Sequence, residues 1–438
     1  MRPLSKVIDE RGIYLGRGQH GDVFSGRELS TLVLGPTRSG KTSALIIPNL
    51  LTTQRAAIIT STKDDVVQRT AGQRRDVTTL LFDPSDTVIA PRGVERVGYS
   101  PLQHARTWDG AVLATRSLLD VARRGGPDRA EDHWTERAGA LVAPLLHAAA
   151  LAGESLPQLA TRIDERQAGA HLGLLREAYG DAHPATALLG GILSTEERER
   201  SGIWSTASGL FAGLRTEGAR RAAQIGALDV SEFLSGRHQL HIVAPSRHQA
   251  LSVPLVVGLI EHVVHTTYER HHDGARLLLA LDEMANVAPL PQLPSLVSEG
   301  GGQGVLTLAC LQDLSQARVR WGAAADGFLS LFPTTIALPG LADRRTLELL
   351  SHLAGRVQVP VESRQRGAWH QPRSSSTSWI ERDRASLAQL AQGRPGHALT
   401  VRADKSLGWV ELTPAHRDPR FLGYRSRSDR ESSRTRER

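Results

Sequence analysis

Two short stretches of this sequence carry residues that could do phosphate chemistry, and they lie about 240 positions apart. The first, Gly35-Pro36-Thr37-Arg38-Ser39-Gly40-Lys41-Thr42, fits the pattern GxxxxGK[ST]. Between a strand and a helix, such a loop turns its amides and the positive end of the helix toward the phosphates of a nucleotide. Lys41 then reaches the β/γ oxygens, and the Thr42 hydroxyl joins the shell of a Mg²⁺ ion. Gly35 and Gly40 are expected where a Cβ would obstruct the turn. The flanks agree: Thr31-Leu32-Val33-Leu34 reads as a short strand, and Ser43 to Pro48 as a helix that the proline ends. The motif predicts binding of ATP or GTP.

The second stretch is the apolar run Leu277 to Leu281, closed by Asp282-Glu283. A buried strand ending in two acids supplies what a P-loop nucleotidase needs for hydrolysis. Asp282 orients Mg²⁺ through its water shell, and Glu283 polarises the attacking water. Alone, such an ending is an ordinary strand meeting solvent; paired with the first motif it reads as half of a hydrolytic site. Gln312 follows a further apolar run, Val305 to Cys310, and would sit between the two motifs, sensing the γ-phosphate with its amide. The predicted catalytic residues are therefore Lys41, Glu283 and Gln312, with residues 35–42 holding the nucleotide and Thr42 and Asp282 the metal. Arginine pairs at 344 and 345 or at 198 and 200 are candidates for a finger reaching into a neighbouring subunit. The 17 histidines form no HExxH or Cys/His array, and no Gly-x-Ser-x-Gly element is present.

The elements that must position these residues follow from periodicity. Residues 1–30 are polar and Gly-rich, and a hairpin there would cover an edge of the nucleotide domain. Strand and helix signals alternate from residue 31 to Asp83-Pro84, with Ala56 to Thr60 and Val77 to Phe82 as strands and the polar cluster Ser61-Thr62-Lys63-Asp64-Asp65 at a carboxyl end. From Trp108 to about Ala223 the pattern turns helical over roughly 115 residues, with Leu159 to Tyr179 and Thr195 to Leu214 as long helical stretches. Gly125-Gly126-Pro127-Asp128 and Gly190-Gly191 read as loops within it. Strands resume at Gln239 to Ala244, Arg276 to Leu281, Val305 to Cys310 and Thr335 to Leu338. Residues 364–379 read as an Arg/Ser-rich loop, before a late strand pair at Ala398 to Val401 and Gly408 to Leu412. The fold class is α/β, with a mainly parallel twisted sheet interrupted by an all-alpha domain. The expected division is 1–107 and 226–415 for the nucleotide-binding domain, 108–225 for the helical one, and 416–438 for a disordered basic tail.

Composition narrows the setting. A chain of 438 residues exceeds what one core usually serves. The single cysteine, Cys310, excludes a disulfide framework and a thiolate zinc site. The net charge of +7 is partly local, since residues 425–438 hold six arginines against three acids. A mildly basic body is compatible with nucleic acid or an anionic membrane face without identifying either. No apolar run reaches the length of a membrane span, the nearest being Leu141 to Ala152 and Val253 to Val264.

The two motifs together with Ser61 to Asp65, Asp83-Pro84, Tyr99-Ser100-Pro101-Leu102, His133-Trp134 and Ser201-Gly202-Ile203-Trp204 resemble the type IV secretion coupling proteins, the TraG/TraD class of conjugative ATPases. The most specific part runs from Leu277 through Gly322, including Leu281 to Val287, Glu299-Gly300-Gly301, Gln312 to Gln316 and Trp321-Gly322. The resemblance implies a RecA-like motor forming a hexamer around a channel and using ATP and Mg²⁺. It also implies partners: a relaxase or effector protein, non-specific single- or double-stranded DNA, and components of the secretion channel. Ser61-Thr62-Lys63-Asp64 departs from the family's Asp-Pro-Lys-Gly. The family begins with transmembrane helices, and none is read here, so the expectation is a protein in the cytoplasm or at the cytoplasmic face of the membrane, monomeric in dilute solution as readily as hexameric. Beside an ATP-driven translocase, a nucleotide-gated adaptor that binds protein substrate without pumping DNA stays open; the intact motifs disfavour a degenerate structural subunit.

Overall fold

The computed structural model describes residues 11–122, 129–365, 374–402, 404 and 406–422. The loop expected at Gly125 to Asp128 and the tail beyond Leu422 lie outside the described residues.

Two strands, β1 (Tyr14–Gly18) and β2 (Gly21–Phe24), form the expected N-terminal hairpin. The P-loop follows β3 (Thr31–Leu34), and β4 (Ala56–Ser61), β5 (Thr79–Phe82) and the short β6 (Glu95–Arg96) come next. After the helical segment come β7 (Gln239–Val243), β8 (Leu277–Leu281), β9 (Val305–Leu311) and β10 (Thr334–Ala337). A separate two-stranded ribbon, β11 (Arg356–Gln365) with β12 (Ser374–Asp383), precedes β13 (His397–Arg402) and β14 (Leu407–Glu411). The main sheet has the order β2-β1-β14-β13-β10-β3-β9-β8-β4-β7-β5-β6. From β10 to β6 every pair is parallel, and β13, β14, β1 and β2 add an antiparallel edge.

The parallel strands are apolar on both faces because both faces are covered. Along β8, Leu277, Leu279 and Leu281 join one core cluster while Leu278 and Ala280 join the other. One face takes the P-loop helix, through Leu45, Ile46 and Leu50. The other takes the helix Gln249–Glu269 and, continuous with it, the helical segment. By length and composition alone the helical run Ser246–Glu269 would suffice to cross a membrane. Here its apolar residues Val256, Val257, Leu259 and Ile260 are fully buried between the sheet and the helical segment.

That segment leaves the sheet after the edge strand β6 and returns at β7, the two flanking β5 on either side (Leu81 of β5 is opposite His241 of β7), so a large insertion opens and closes one strand apart. Asp83 fixes the departure, its carboxylate accepting from the amides of Ser85, Thr87 and Val88 at 2.6–2.9 Å. Ser100 then caps the turn Pro101–Arg106, and Arg129–Leu151 runs through the middle of the segment, packed by Trp108–Ala122 and Glu197–Leu210. Trp134 lies against Gly202, where a Cβ would come within 2.6 Å of the ring, so two of the resembling motifs meet.

Five expectations are corrected. Pro48 does not end the P-loop helix; a π-helical turn, Thr42–Ile46, widens the backbone before it, and the α-helix Ile47–Thr52 continues with Pro48 in its first turn, where no amide is needed. Gly190-Gly191 lies inside the helix Pro184–Leu193, whose packing on Gly169–Tyr179 overrides the propensity of glycine. Leu159 to Tyr179 is two helices, Leu156–Asp164 and Gly169–Tyr179, parted where Arg166 adopts a left-handed φ of 58°. The described parts of 364–379 are ribbon, because the alternating Val357, Val359 and Val361 give Ser374–Asp383 a strand to pair with; residues 366–373 lie outside the described residues. Of the tail expected from 416, residues 416–422 pack against the sheet domain instead. Phe421 is buried in the P-loop-side core, and Arg420 holds Asp418, Asp22 and the Tyr14 hydroxyl.

The core also carries a pH liability. His241, at the centre of β7, is pushed down to about 3 by burial alone. A histidine kept neutral in the fold contributes stability that is intact above its unfolded value near 6.5 and is lost as the pH falls toward 3. His241→Leu is expected to move the acid-unfolding midpoint, followed by circular dichroism, downward by roughly half a pH unit; an unchanged midpoint would show that other groups govern acid unfolding.

Candidate active site

Because β3, β9 and β8 are neighbours and parallel, the chain segments leaving their carboxyl ends converge. From β3 comes the loop of residues 35–42. Gly35 is crowded, a Cβ there falling 2.8 Å from that of Leu338, whereas Gly40 has open space around it and is required by its φ of 98°. Pro36 packs beside Gly340, and Arg38 takes the left-handed region at φ 62°. Such a loop winds its amides inward, and the buried Ser39 hydroxyl is left without a partner.

Lys41, only 6% exposed, folds onto its own loop, donating to the carbonyls of Gly35 at 2.5 Å and Pro36 at 2.9 Å. Thr42 reaches across to β8, its hydroxyl donating to Asp282 Oδ2 at 2.6 Å. Thr60, on β4, donates to the main-chain carbonyl of Asp282 at 2.9 Å and so locks the acid from its other side. Burial holds the Asp282 carboxyl above the usual carboxylate range, opposed by the Thr42 hydrogen bond and reinforced by Glu283; Lys41 pulls it down and Asp65 adds a weaker upward push. Glu283 leaves the strand in the left-handed region (φ 53°, ψ 43°) and heads the short helix Met284–Val287.

Gln312 lies one residue past Leu311, which is in register with Leu34 of β3, while Ala309 is in register with Leu281 of β8. It therefore stands between the two motifs, its main-chain N–H donating to Gln316 Oε1 at 3.0 Å. Next to it Asp313 caps the helix Leu314–Trp321, whose Arg320 and Trp321 donate to the carbonyls of Ala285 and Leu290, just beyond Glu283. The arginine candidates are engaged within the chain: Arg344 pairs with Glu348 at 2.7 Å, Arg345 with Asp326, and Arg200 donates to the Leu193 carbonyl at 2.8 Å; Arg198 is exposed.

The sequence reading missed Thr60 and the approach of Asp65 to Asp282. Both stand at or beyond the end of β4, where polar residues closing an apolar strand were the available signal. Among the described residues no group of three or more His, Cys, Asp or Glu is arranged to hold a metal unaided. The donor set here is instead one hydroxyl, Thr42, and one carboxylate, Asp282, already in contact, which suits a Mg²⁺ that keeps its waters and takes further oxygens from a nucleotide.

Residues 4–392 match the family model described as type IV secretory system conjugative DNA transfer. Over 347 residues the chain is 26% identical to the conjugal transfer protein TraG of Escherichia coli, covering 70% of this chain and 53% of TraG; a second TraG of that organism is 26% identical over 348 residues. The chain thus spans about half the length of the curated relatives it matches. Among solved structures, the unbound bacterial conjugative coupling protein TrwBdeltaN70 superposes with a TM-score of 0.71 at 19% identity, covering 96% of this chain and 93% of that one. TrwB in complex with the ATP analogue ADPNP gives a TM-score of 0.69, and TrwB with ADP and Mg²⁺ 0.68, both at 20% identity, covering 95% of this chain and 94% of theirs. At these identities the likeness establishes the fold, a RecA-like α/β sheet with a helical part.

Proposed function

Since the chain belongs to the type IV secretory system conjugative DNA transfer family, we propose that it is an ATP-hydrolysing coupling protein, a translocase that recruits relaxase-bound DNA or protein substrates and delivers them to a secretion channel. One observation carries the hydrolytic half: the Thr42 hydroxyl rests on Asp282 at 2.6 Å across 240 residues of sequence. ATP and Mg²⁺ are its cofactors, in keeping with the ADPNP and ADP–Mg²⁺ complexes of TrwB.

In this reading the loop amides of residues 35–42 and the Ser39 hydroxyl receive the phosphates. Lys41 exchanges the carbonyls of Gly35 and Pro36 for β/γ oxygens, two neutral acceptors for charged ones. Thr42 and Asp282 would hold the metal, which would supply positive charge beside the transferred phosphoryl group. Glu283 takes the proton of the attacking water, and Gln312, between the two motifs, reports the γ-phosphate to the helix Leu314–Trp321. The partners are DNA, a relaxase or effector, the channel components and further copies of the chain in a hexamer at the cytoplasmic face of the membrane.

The test is ATP hydrolysis by the purified chain with and without single- and double-stranded DNA at two salt concentrations, with particle mass recorded alongside. Turnover is expected to rise several-fold with DNA, and the stimulation to fade steeply with salt. Turnover indifferent to every DNA would sink the translocase reading in favour of an adaptor.

A further inference from the structure

We propose that the amino-terminal end of the sheet, opposite the P-loop, holds the phosphate backbone of a single nucleic-acid strand along two adjoining grooves lined with arginine. The choice of a nucleic acid among polyanions rests on the function proposed above; the grooves themselves do not.

The first groove encloses about 400 Å³ at the starts of β3, β9, β8, β4 and β7, five adjacent parallel strands. Four of these starts bring an arginine: Arg27 ahead of β3, Arg276 directly before β8, Arg55 directly before β4 and Arg237 ahead of β7, while β9 is preceded by Gly304. Neighbouring strands are about 4.8 Å apart, so this row spans about 19 Å. The inner cations are fixed by main-chain carbonyls. Arg276 donates to Ala275 at 2.7 Å and His271 at 3.0 Å, and Arg55 donates to Gly304 at 3.2 Å. Such bonds aim each guanidinium. At the outer end, Arg237 shares the single carboxylate of Asp76 with Arg74.

The second groove, about 1000 Å³, begins at the same Arg27 and runs over the antiparallel edge. It adds Arg11, whose guanidinium lies 4.8 Å from the Phe24 ring centre, Arg394, 5.3 Å from that of Trp409, and Arg402, anchored on the Phe24 carbonyl. Against seven arginines the described linings hold two acids: Glu28, which pairs with Arg27 at 3.4 Å, and Asp22, which is held by Arg420.

Cations strung in a line rather than converging on a point suit a polyphosphate chain better than a small anion. Arginine planes laid on aromatic rings are platforms on which unpaired bases stack.

The experiment is fluorescence anisotropy of a labelled oligothymidylate with the whole, nucleotide-free chain over a salt series. The exposed arginines are changed together as R27Q/R237Q/R394Q, beside a charge-keeping R27K/R237K/R394K variant and a distant R176Q control. Losing three phosphate contacts should reduce the slope of log K against log salt by about 2 and weaken binding at least tenfold at moderate salt, with the lysine variant and R176Q close to wild type. An unchanged slope, an equal loss in R176Q, absent binding by the wild type, or equal displacement by polyglutamate would each overturn the proposal. Because no ATP is present, a strand held on this track without any DNA-stimulated turnover would leave the inference standing and count against the motor alone.

Discussion

Glu283→Gln should slow steady-state ATP hydrolysis by about 10²–10⁴-fold, the usual contribution of a positioned general base, while nucleotide affinity stays within a few-fold of wild type. Glutamine keeps the shape and hydrogen-bonding reach of the side chain but cannot take a proton from water. The backbone supports this assignment: a glutamate held at φ 53° occupies a region costly for a residue with a Cβ, and such strain collects where a side chain must point in one direction. Phosphate release and titration with a fluorescent nucleotide measure the two halves separately. Turnover within tenfold of wild type would take Glu283 out of the base role.

Asp282→Asn should abolish hydrolysis and at the same time stabilise the protein without nucleotide. The sign follows from burial. A carboxyl whose folded pKa is raised above its unfolded value near 3.9 contributes stability that is fully present below that pH and is lost as the pH rises through the folded value. At neutral pH the ionised group is therefore a burden, acted on by the charges of Glu283 and Asp65, that a bound metal would relieve. Asparagine removes the charge yet still accepts from Thr42, so the melting temperature at neutral pH should rise by about 1–3 °C, with the difference shrinking toward pH 4. Adding Mg²⁺ and ATP should raise the wild type more than the variant. A variant that melts lower than wild type at neutral pH would show that the Asp282 charge is compensated within the protein itself.

Much of this architecture is legible in the sequence because its signals are local. GxxxxGK[ST] after Thr31 to Leu34, and two acids after five apolar residues, mark strand ends without reference to anything distant. The runs at β4, β7, β9 and β10 announce themselves through apolar residues that parallel strands bury on both faces. The misreadings arise where a distant partner decides. Pro48 is tolerated because the turn before it widens, and Gly190-Gly191 stays helical because a neighbouring helix covers it. Ser374 to Asp383 extends because valines some twenty residues earlier offer it a strand, and Phe421 belongs to the core because Tyr14, from across the chain, meets its ring and accepts from the adjacent Arg420. At the site, Lys41, Thr42, Asp282 and Glu283 could be named from type and spacing alone. Thr60 and Asp65 could not, since their proximity to Asp282 depends on β4 lying next to β8.

One strand connects the two ends of the molecule. β8 begins after Arg276 and ends at Asp282, with five fully paired residues between them and ladders to β4 and β9 on either side. The Arg276 end and the Asp282 carboxylate are thus opposite tips of a single stiff rod about 20 Å long, with no hinge along it. Under the function proposed above such a rod has little slack to absorb: any displacement that phosphoryl transfer imposed at one tip would turn or slide the sheet as a body, and the other tip would register the whole stroke.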